Sequence, residues 1–292
     1  MGVMAHADRL PVARLMGGIP PTALVLLGIV SVQVGAAVAK QLFTVAGAAG
    51  TVTLRLVVAA LVLVVIWRPS LRLDRRTLLV VVTYGVVLAG MNLCFYAALA
   101  RIPLGAAVTI EFLGPLAVSV FGSRRWLDGL WVLLAGTGVV LLTRVQGGLA
   151  LSGVLFALAA GALWAAYILV TAKLGSQTSD GKGLALAMVV GAVIALPFGV
   201  SSAGTAMLDP VVLAAGFAVA LMSSVIPYSL ELEALRRMPP RVFGILMSME
   251  PAVAALAGLL LLGEELKPAQ WVAVCCVVIA SVGATRSARP DV

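Results

Sequence analysis

The chain has 292 residues, 62% of them hydrophobic and 11% charged, with a formal net charge of +8 and a mean hydropathy of +1.14. A soluble globular chain is about half apolar and a quarter charged, so that class is excluded. The basic residues sit in ones and twos between apolar runs, the pattern of loops flanking membrane spans, and nucleic acid is not expected as a partner.

Stretches long enough to cross about 30 Å of hydrocarbon at 1.5 Å per residue occur in the first half at 21–42, 49–67, 77–99, 105–122 and 127–143. The second half holds 151–172, 183–201, 211–234, 241–262 and 268–285. Turn and breaker residues separate them: Pro69, Pro103, Gly122, Gly147-Gly148, Gly181, Pro210, Pro239-Pro240 and Pro268. The expected fold class is therefore an all-α integral membrane protein of ten transmembrane helices, with a tail at 1–20 and another at 287–292.

Charge tests this division independently. With the N-terminus in the cytoplasm, the inside segments carry Arg9, Arg14, Arg68, Arg72, Arg75, Arg76, Arg124, Arg125, Lys173, Lys182, Arg236, Arg237, Arg241, Arg286 and Arg289. The outside loops hold Arg101, Arg144 and Lys267, and Lys40 and Arg55 fall within helices. A missed or added helix would scramble that bias from that point onward. Ten helices with both termini cytoplasmic satisfy the positive-inside rule.

The cysteines carry no chemistry of their own. Cys94, Cys275 and Cys276 lie in apolar stretches without a Cys-x-x-Cys pair, and the single histidine, His6, is in the N-terminal tail. Neither a disulfide framework nor a metal site is expected, and no cofactor. No cleavable signal is expected before Met16, and His6 stands where myristoylation needs Ser or Thr.

An internal repeat runs through the chain at an offset of about 136 residues. Ala98-Leu99-x-Arg101-x-Pro103 matches Ala234-Leu235-x-Arg237-x-Pro239, Pro115 matches Pro251, Gly122 matches Gly258, and after a short insertion Trp131 matches Trp271. Five helices per half is an odd number, so the second repeat (147–286) is expected to enter the membrane inverted relative to the first (21–146). Inverted repeats place a substrate site near the midplane between the halves. Chance likeness between apolar helices is the alternative.

Met249-Glu250-Pro251-Ala252-Val253, Leu262-Gly263-Glu264 and Trp271 resemble the drug/metabolite transporter superfamily of the EamA-domain type. The first half is similar to its threonine/homoserine exporter branch in Ala39-Lys40-Gln41-Leu42-Phe43, Leu54-Arg55-Leu56, Asn92-Leu93-Cys94-Phe95-Tyr96 through Ala100-Arg101-Ile102-Pro103-Leu104-Gly105, and Val108-Thr109-Ile110-Glu111-Phe112-Leu113-Gly114-Pro115-Leu116. The resemblance implies a bacterial inner-membrane exporter of small metabolites, amino acids such as threonine or homoserine foremost, working by proton antiport.

Ionisable residues inside a bilayer are expensive unless paired or lining water. Lys40 has Gln33 two turns before it on one face and Thr44 one turn beyond; it is either a cation for a substrate carboxylate or a lysine snorkelling to the interface. Arg55 has the same two readings. Glu111 shares a face with Val108 and Pro115, and Pro115 removes the backbone hydrogen bond to the Glu111 carbonyl. It serves either as a node for an ammonium or a proton, or as a structural acid paired to Lys40 or Arg55. Glu250, beside Pro251, is its counterpart one turn displaced, and Glu231 is a third candidate for proton coupling. Softer candidates lie on helix faces: Tyr84, Asn92 and Tyr96; Trp164, Tyr167 and Thr171; Ser224, Tyr228 and Glu231. Such stripes also arise from helix packing. Glu264-Glu265 is expected to be solvated in an outside loop.

With one peripheral histidine, the chain lacks a convergent catalytic set, and an enzyme is not expected. A channel or scaffold is an alternative, but buried ions of both signs suit alternating access better. A zwitterionic amino acid needs one cation and one anion, which Lys40 or Arg55 and Glu111 supply. A cationic drug-like substrate would use Glu111 and the aromatics without Lys40.

Overall fold

A computed structural model describes residues 18–69, 74–121, 126–144, 149–175 and 182–287. The turn signals Gly122, Gly147-Gly148 and Gly181, His6, and the charges Arg9, Arg14, Arg72, Arg124, Arg125 and Arg289 lie outside the described residues, as do most of the two tails. The described chain is helical: α1 (Pro21–Gln41), α2 (Phe43–Trp67), α3 (Arg75–Leu99), α4 (Leu104–Glu111), α5 (Leu113–Phe121), α6 (Trp126–Arg144), α7 (Leu151–Gly175) and α8 (Lys182–Ala203). A 3₁₀ turn at Gly204–Leu208 leads to α9 (Pro210–Ala220), a π turn (Leu221–Val225), α10 (Ile226–Arg237), α11 (Pro240–Met247), α12 (Glu250–Leu262) and α13 (Pro268–Ser287).

Eight helical segments are long and apolar enough to cross a membrane, and two shorter apolar ones, Leu104–Val118 and Gly129–Leu142, accompany them. Their outward faces are apolar: Leu61, Val65, Leu133, Leu155 and Leu260 are all exposed. A water-soluble protein would bury such side chains, whereas lipid accepts them.

Helix ends follow local chemistry. Asp74 caps α3 by accepting from the amides of Arg76 (3.1 Å) and Thr77 (3.3 Å), and the Thr77 hydroxyl and these amides hold its carboxyl below the usual carboxylate range. Asp209 caps α9 through Val211 and Val212. Gly263 ends α12 at φ +64, a left-handed conformation that glycine adopts without a Cβ clash.

Two expected spans are broken rather than continuous. The span at 105–122 divides into α4 and α5 around Phe112, and that at 241–262 divides into α11 and α12 around Ser248 and Met249. Each first piece is eight residues long, follows a proline N-cap (Pro103 or Pro239), and ends four residues before a proline that cannot donate to the preceding turn (Pro115 or Pro251). The expected span at 49–67 starts earlier, at Phe43, and kinks at Gly47, whose φ of +65 departs from the helix. A further irregularity is the π turn between α9 and α10, which widens the helix and leaves carbonyls to be met from elsewhere.

The principal packing partners are α2 with α8, α3 with α7 and α8, α6 with α13, α1 with α10, α4 with α12, and α5 with α7. Each joins the first half of the chain to the second.

Candidate functional site

The two broken spans and the π turn meet around one cavity of about 460 Å³. Gln33 of α1, Arg55 of α2, Asn92 of α3, Glu111 at the end of α4, Trp164 and Tyr167 of α7, Tyr228 and Glu231 of α10 and Glu250 at the start of α12 line it. Residues expected from sequence to bind substrate or protons are thus gathered from seven helices into one space. Phe95, Phe112, Phe243 and Met247 supply apolar wall. A volume of this size holds a small metabolite, and a few polar groups in a largely apolar lining fix its orientation.

Arg55 is the anchored cation of the site. It is 9% exposed and donates to the Ser224 hydroxyl at 3.2 Å, the Tyr96 hydroxyl at 3.3 Å and the Ser223 carbonyl at 2.9 Å. Its guanidinium carbon lies 5.7 Å from the Tyr96 ring centre. The Ser223 carbonyl belongs to the π turn, and Ser31 of α1 donates to the neighbouring Met222 carbonyl at 2.8 Å. Arg55 and Ser31 therefore satisfy backbone acceptors that an ordinary helix would have bonded internally. A buried charge survives only with such bonds.

Glu111 sits where α4 stops. Gly161 of α7 packs against its backbone so closely that an added Cβ would lie 2.6 Å from the Glu111 carbonyl oxygen. Pro115 cannot bond that carbonyl, and the close approach of α7 is possible because residue 161 lacks a side chain. Phe112 meets Trp164 edge-on at 5.6 Å between ring centres, which fixes the break beside the cavity.

On the α1 side, Gln33 Nε2 donates to Glu250 Oε1 at 3.1 Å. Asn92 is tied to its own helix through the Leu88 carbonyl at 2.8 Å. Tyr167 stacks at 5.1 Å on Tyr84, so Tyr84 supports the wall from behind. The side chain of Thr171, placed on the same stripe by sequence, is outside what the structure describes.

Two expected site residues stand elsewhere. Lys40 does not line the cavity: its ammonium lies 2.6 Å from Glu264 Oε1 and donates to the Ile102 carbonyl at 3.0 Å. Glu264, expected to be solvated, also accepts from the Leu104 amide at 2.7 Å and so caps α4. Tyr96 is fully buried behind Arg55 and reaches the site through it. Sequence reasoning also missed Ser223 and the π turn; the pair Ser223-Ser224 four residues before Tyr228 was the available signal.

The comparisons agree with this architecture. The model of the EamA-like transporter family matches residues 151–286, the half containing Glu250 and Trp271. The chain is 42% identical over 275 residues to the threonine/homoserine exporters RhtA of Salmonella typhimurium and Escherichia coli K12, covering 93% of each sequence. It is 26% identical over 153 residues to the uncharacterized transporter YwfM of Bacillus subtilis, covering 52% of this chain and 49% of that one. A crystal structure of an 18% identical protein superposes with a TM-score of 0.61, covering 91% of this chain and 97% of that one, and shares the fold. Helices long and apolar enough to span a bilayer, a cavity between two halves and near full-length similarity to exporters lead to one conclusion: this chain is a multi-pass membrane transporter, not an enzyme, and it belongs to the EamA-like transporter family.

Proposed function

We propose that this protein exports small amino acids of the threonine and homoserine kind from the bacterial cytoplasm across the inner membrane by proton antiport, with both termini cytoplasmic. The observation that carries the reading is the composition of the cavity wall: one guanidinium, Arg55, faces a space shared with Glu111, Glu231 and Glu250. A zwitterion presents one carboxylate and one ammonium. Arg55 already holds three acceptors, and a guanidinium has five N–H donors, so donors remain for a substrate carboxylate. The acids exceed the single cation, and in a low-dielectric cavity that excess favours a second cation, an ammonium or a proton. Competition between the two for Glu111, with Glu231 and Glu250 near, links proton movement to substrate movement. The substrate named for the 42% identical relatives supports the same choice.

Ten crossing segments in two inverted repeats fit this mechanism. The breaks after Glu111 and Met247 fall 136 residues apart, as do Pro103 and Pro239. The packing also follows the exchange of each segment with the one five places on: α2 pairs with α8, α4 with α12 and α6 with α13, while the α3–α7 contact has its counterpart in α1–α10. A site at the crossing of the two breaks is reachable alternately from either side.

The test is flux into proteoliposomes of the purified protein. With an acidic lumen, outward protons should drive labelled threonine and homoserine inward above equilibrium, and collapse of the pH difference should release them. Equal uptake with and without the gradient would leave a facilitator rather than an antiporter. Transport of cationic drug-like compounds in place of amino acids would favour the other substrate class.

A further inference from the structure

Gln33 and Glu250 are 1% and 7% exposed. Their single bond, Gln33 Nε2 to Glu250 Oε1 at 3.1 Å, leaves Gln33 Oε1 and Glu250 Oε2 buried with no hydrogen-bond partner. Both residues line the cavity. Buried polar atoms are nearly always paired, and two orphaned acceptors on adjacent side chains at a cavity wall point to a donor supplied by what binds there. Ser223 Oγ is also without a partner, but it faces Gly35, about 200° around α1 from Gln33 at 100° per residue. It does not belong to this pair.

The two orphans differ from the rest of the wall in what they accept. Arg55 offers donors only, suited to a carboxylate. Glu111, at the end of α4, offers a carboxylate to the same cavity. The Gln33–Glu250 pair offers two acceptors together with the second N–H of the Gln33 amide, a set that matches an alcohol: one O–H to donate and one oxygen to accept. We propose that Gln33 and Glu250 form a subsite that reads the side-chain hydroxyl of the transported amino acid and so set specificity for hydroxyl-bearing substrates. This rests on the amino-acid reading above and deepens it. A pair of neighbouring acceptors can be met by a hydroxyl on either the β or the γ carbon, so one site accommodates both threonine and homoserine. It should discriminate against their common deoxy analogue, 2-aminobutyrate, which would leave the acceptors dry and unpaired.

The experiment measures competition in proteoliposomes, with labelled threonine exchange inhibited by unlabelled threonine, homoserine or 2-aminobutyrate. The wild type should prefer each hydroxyl amino acid over 2-aminobutyrate by about tenfold or more. In Gln33→Leu that ratio should fall to near one; because it is a ratio within one preparation, losses of folded protein cancel. Should Gln33→Leu give too little exchange to measure, Gln33→Asn, which draws the amide back by one methylene, should reduce the ratio by at least threefold. An unchanged ratio in either variant overturns the subsite and leaves the pair as a helix tie. Amino-acid exchange with no hydroxyl preference in the wild type overturns the subsite while keeping the transport reading. Absence of any amino-acid exchange overturns both.

Discussion

Lys40 Nζ and Glu264 Oε1 are 2.6 Å apart, and seven residues earlier on the same face of α1 Gln33 meets Glu250. The two contacts form one seam between α1 and the segment running from α12 into the loop after it, about 10 Å apart along the helix axis. The upper contact joins three elements, because Glu264 also caps α4 through the Leu104 amide and Lys40 also holds the Ile102 carbonyl. Between it and the cavity lie the packed backbones of Gly105 and Ala255. The Lys40 ion pair thus sits beside a layer of tight α4–α12 packing.

Lys40→Met should therefore act on stability rather than on substrate binding. The side chains are 24% and 14% exposed, so the loss should be about 1–2 kcal/mol. A thermal melt in detergent measures it, and the reversed pair Lys40→Glu with Glu264→Lys should recover part of it. A variant that melts like the wild type but no longer competes for threonine would return Lys40 to the binding site.

Arg55→Met should be far more damaging. It leaves the Ser223 carbonyl and the Tyr96 and Ser224 hydroxyls buried without their donor, a cost of about 2–4 kcal/mol. Arg55→Lys keeps the charge but supplies a point donor in place of a fork, and it should retain folded protein while weakening substrate affinity at least tenfold. Folded yield and threonine affinity, measured together, separate the two effects.

Gly161→Val tests the close approach of α7 to the α4–α5 break. Its Cβ would lie 2.6 Å from the Glu111 carbonyl oxygen, so one of the two helices must move, at about 1–3 kcal/mol. The melting temperature should fall and transport should be lost; wild-type transport in this variant would mean that Glu111 can shift without consequence.

The spans were legible because lipid demands long apolar runs, and the deviations lie where a span is interrupted. Pro115 and Pro251 announced a weakened hydrogen bond, yet a proline in a helix can kink it or break it, and hydropathy does not choose. The π turn at Leu221–Val225 leaves no mark in hydropathy either, since the donors that meet its carbonyls, Arg55 and Ser31, sit on other helices. For the site, periodicity correctly put Gln33 and Lys40 on one face, but what that face meets depends on how the Gly263–Lys267 loop folds back to bring Glu264 over α4. Arg55, Glu111 and Glu250 stood out in the sequence because an ionisable residue in a span has few ways to exist, and the fold gathers them around one cavity.

Coupling of protons to substrate by Glu111 in this cavity is tested most directly by Glu111→Gln in proteoliposomes. The substitution keeps the volume and removes the exchangeable proton. Two rates are compared with those of the wild type: labelled threonine accumulation under an acid lumen, and exchange of labelled for unlabelled threonine at equal pH. Gradient-driven accumulation should fall to the level of protein-free vesicles, while exchange, which needs no net proton movement, persists at a measurable rate. Accumulation at the wild-type level in Glu111→Gln would contradict the account.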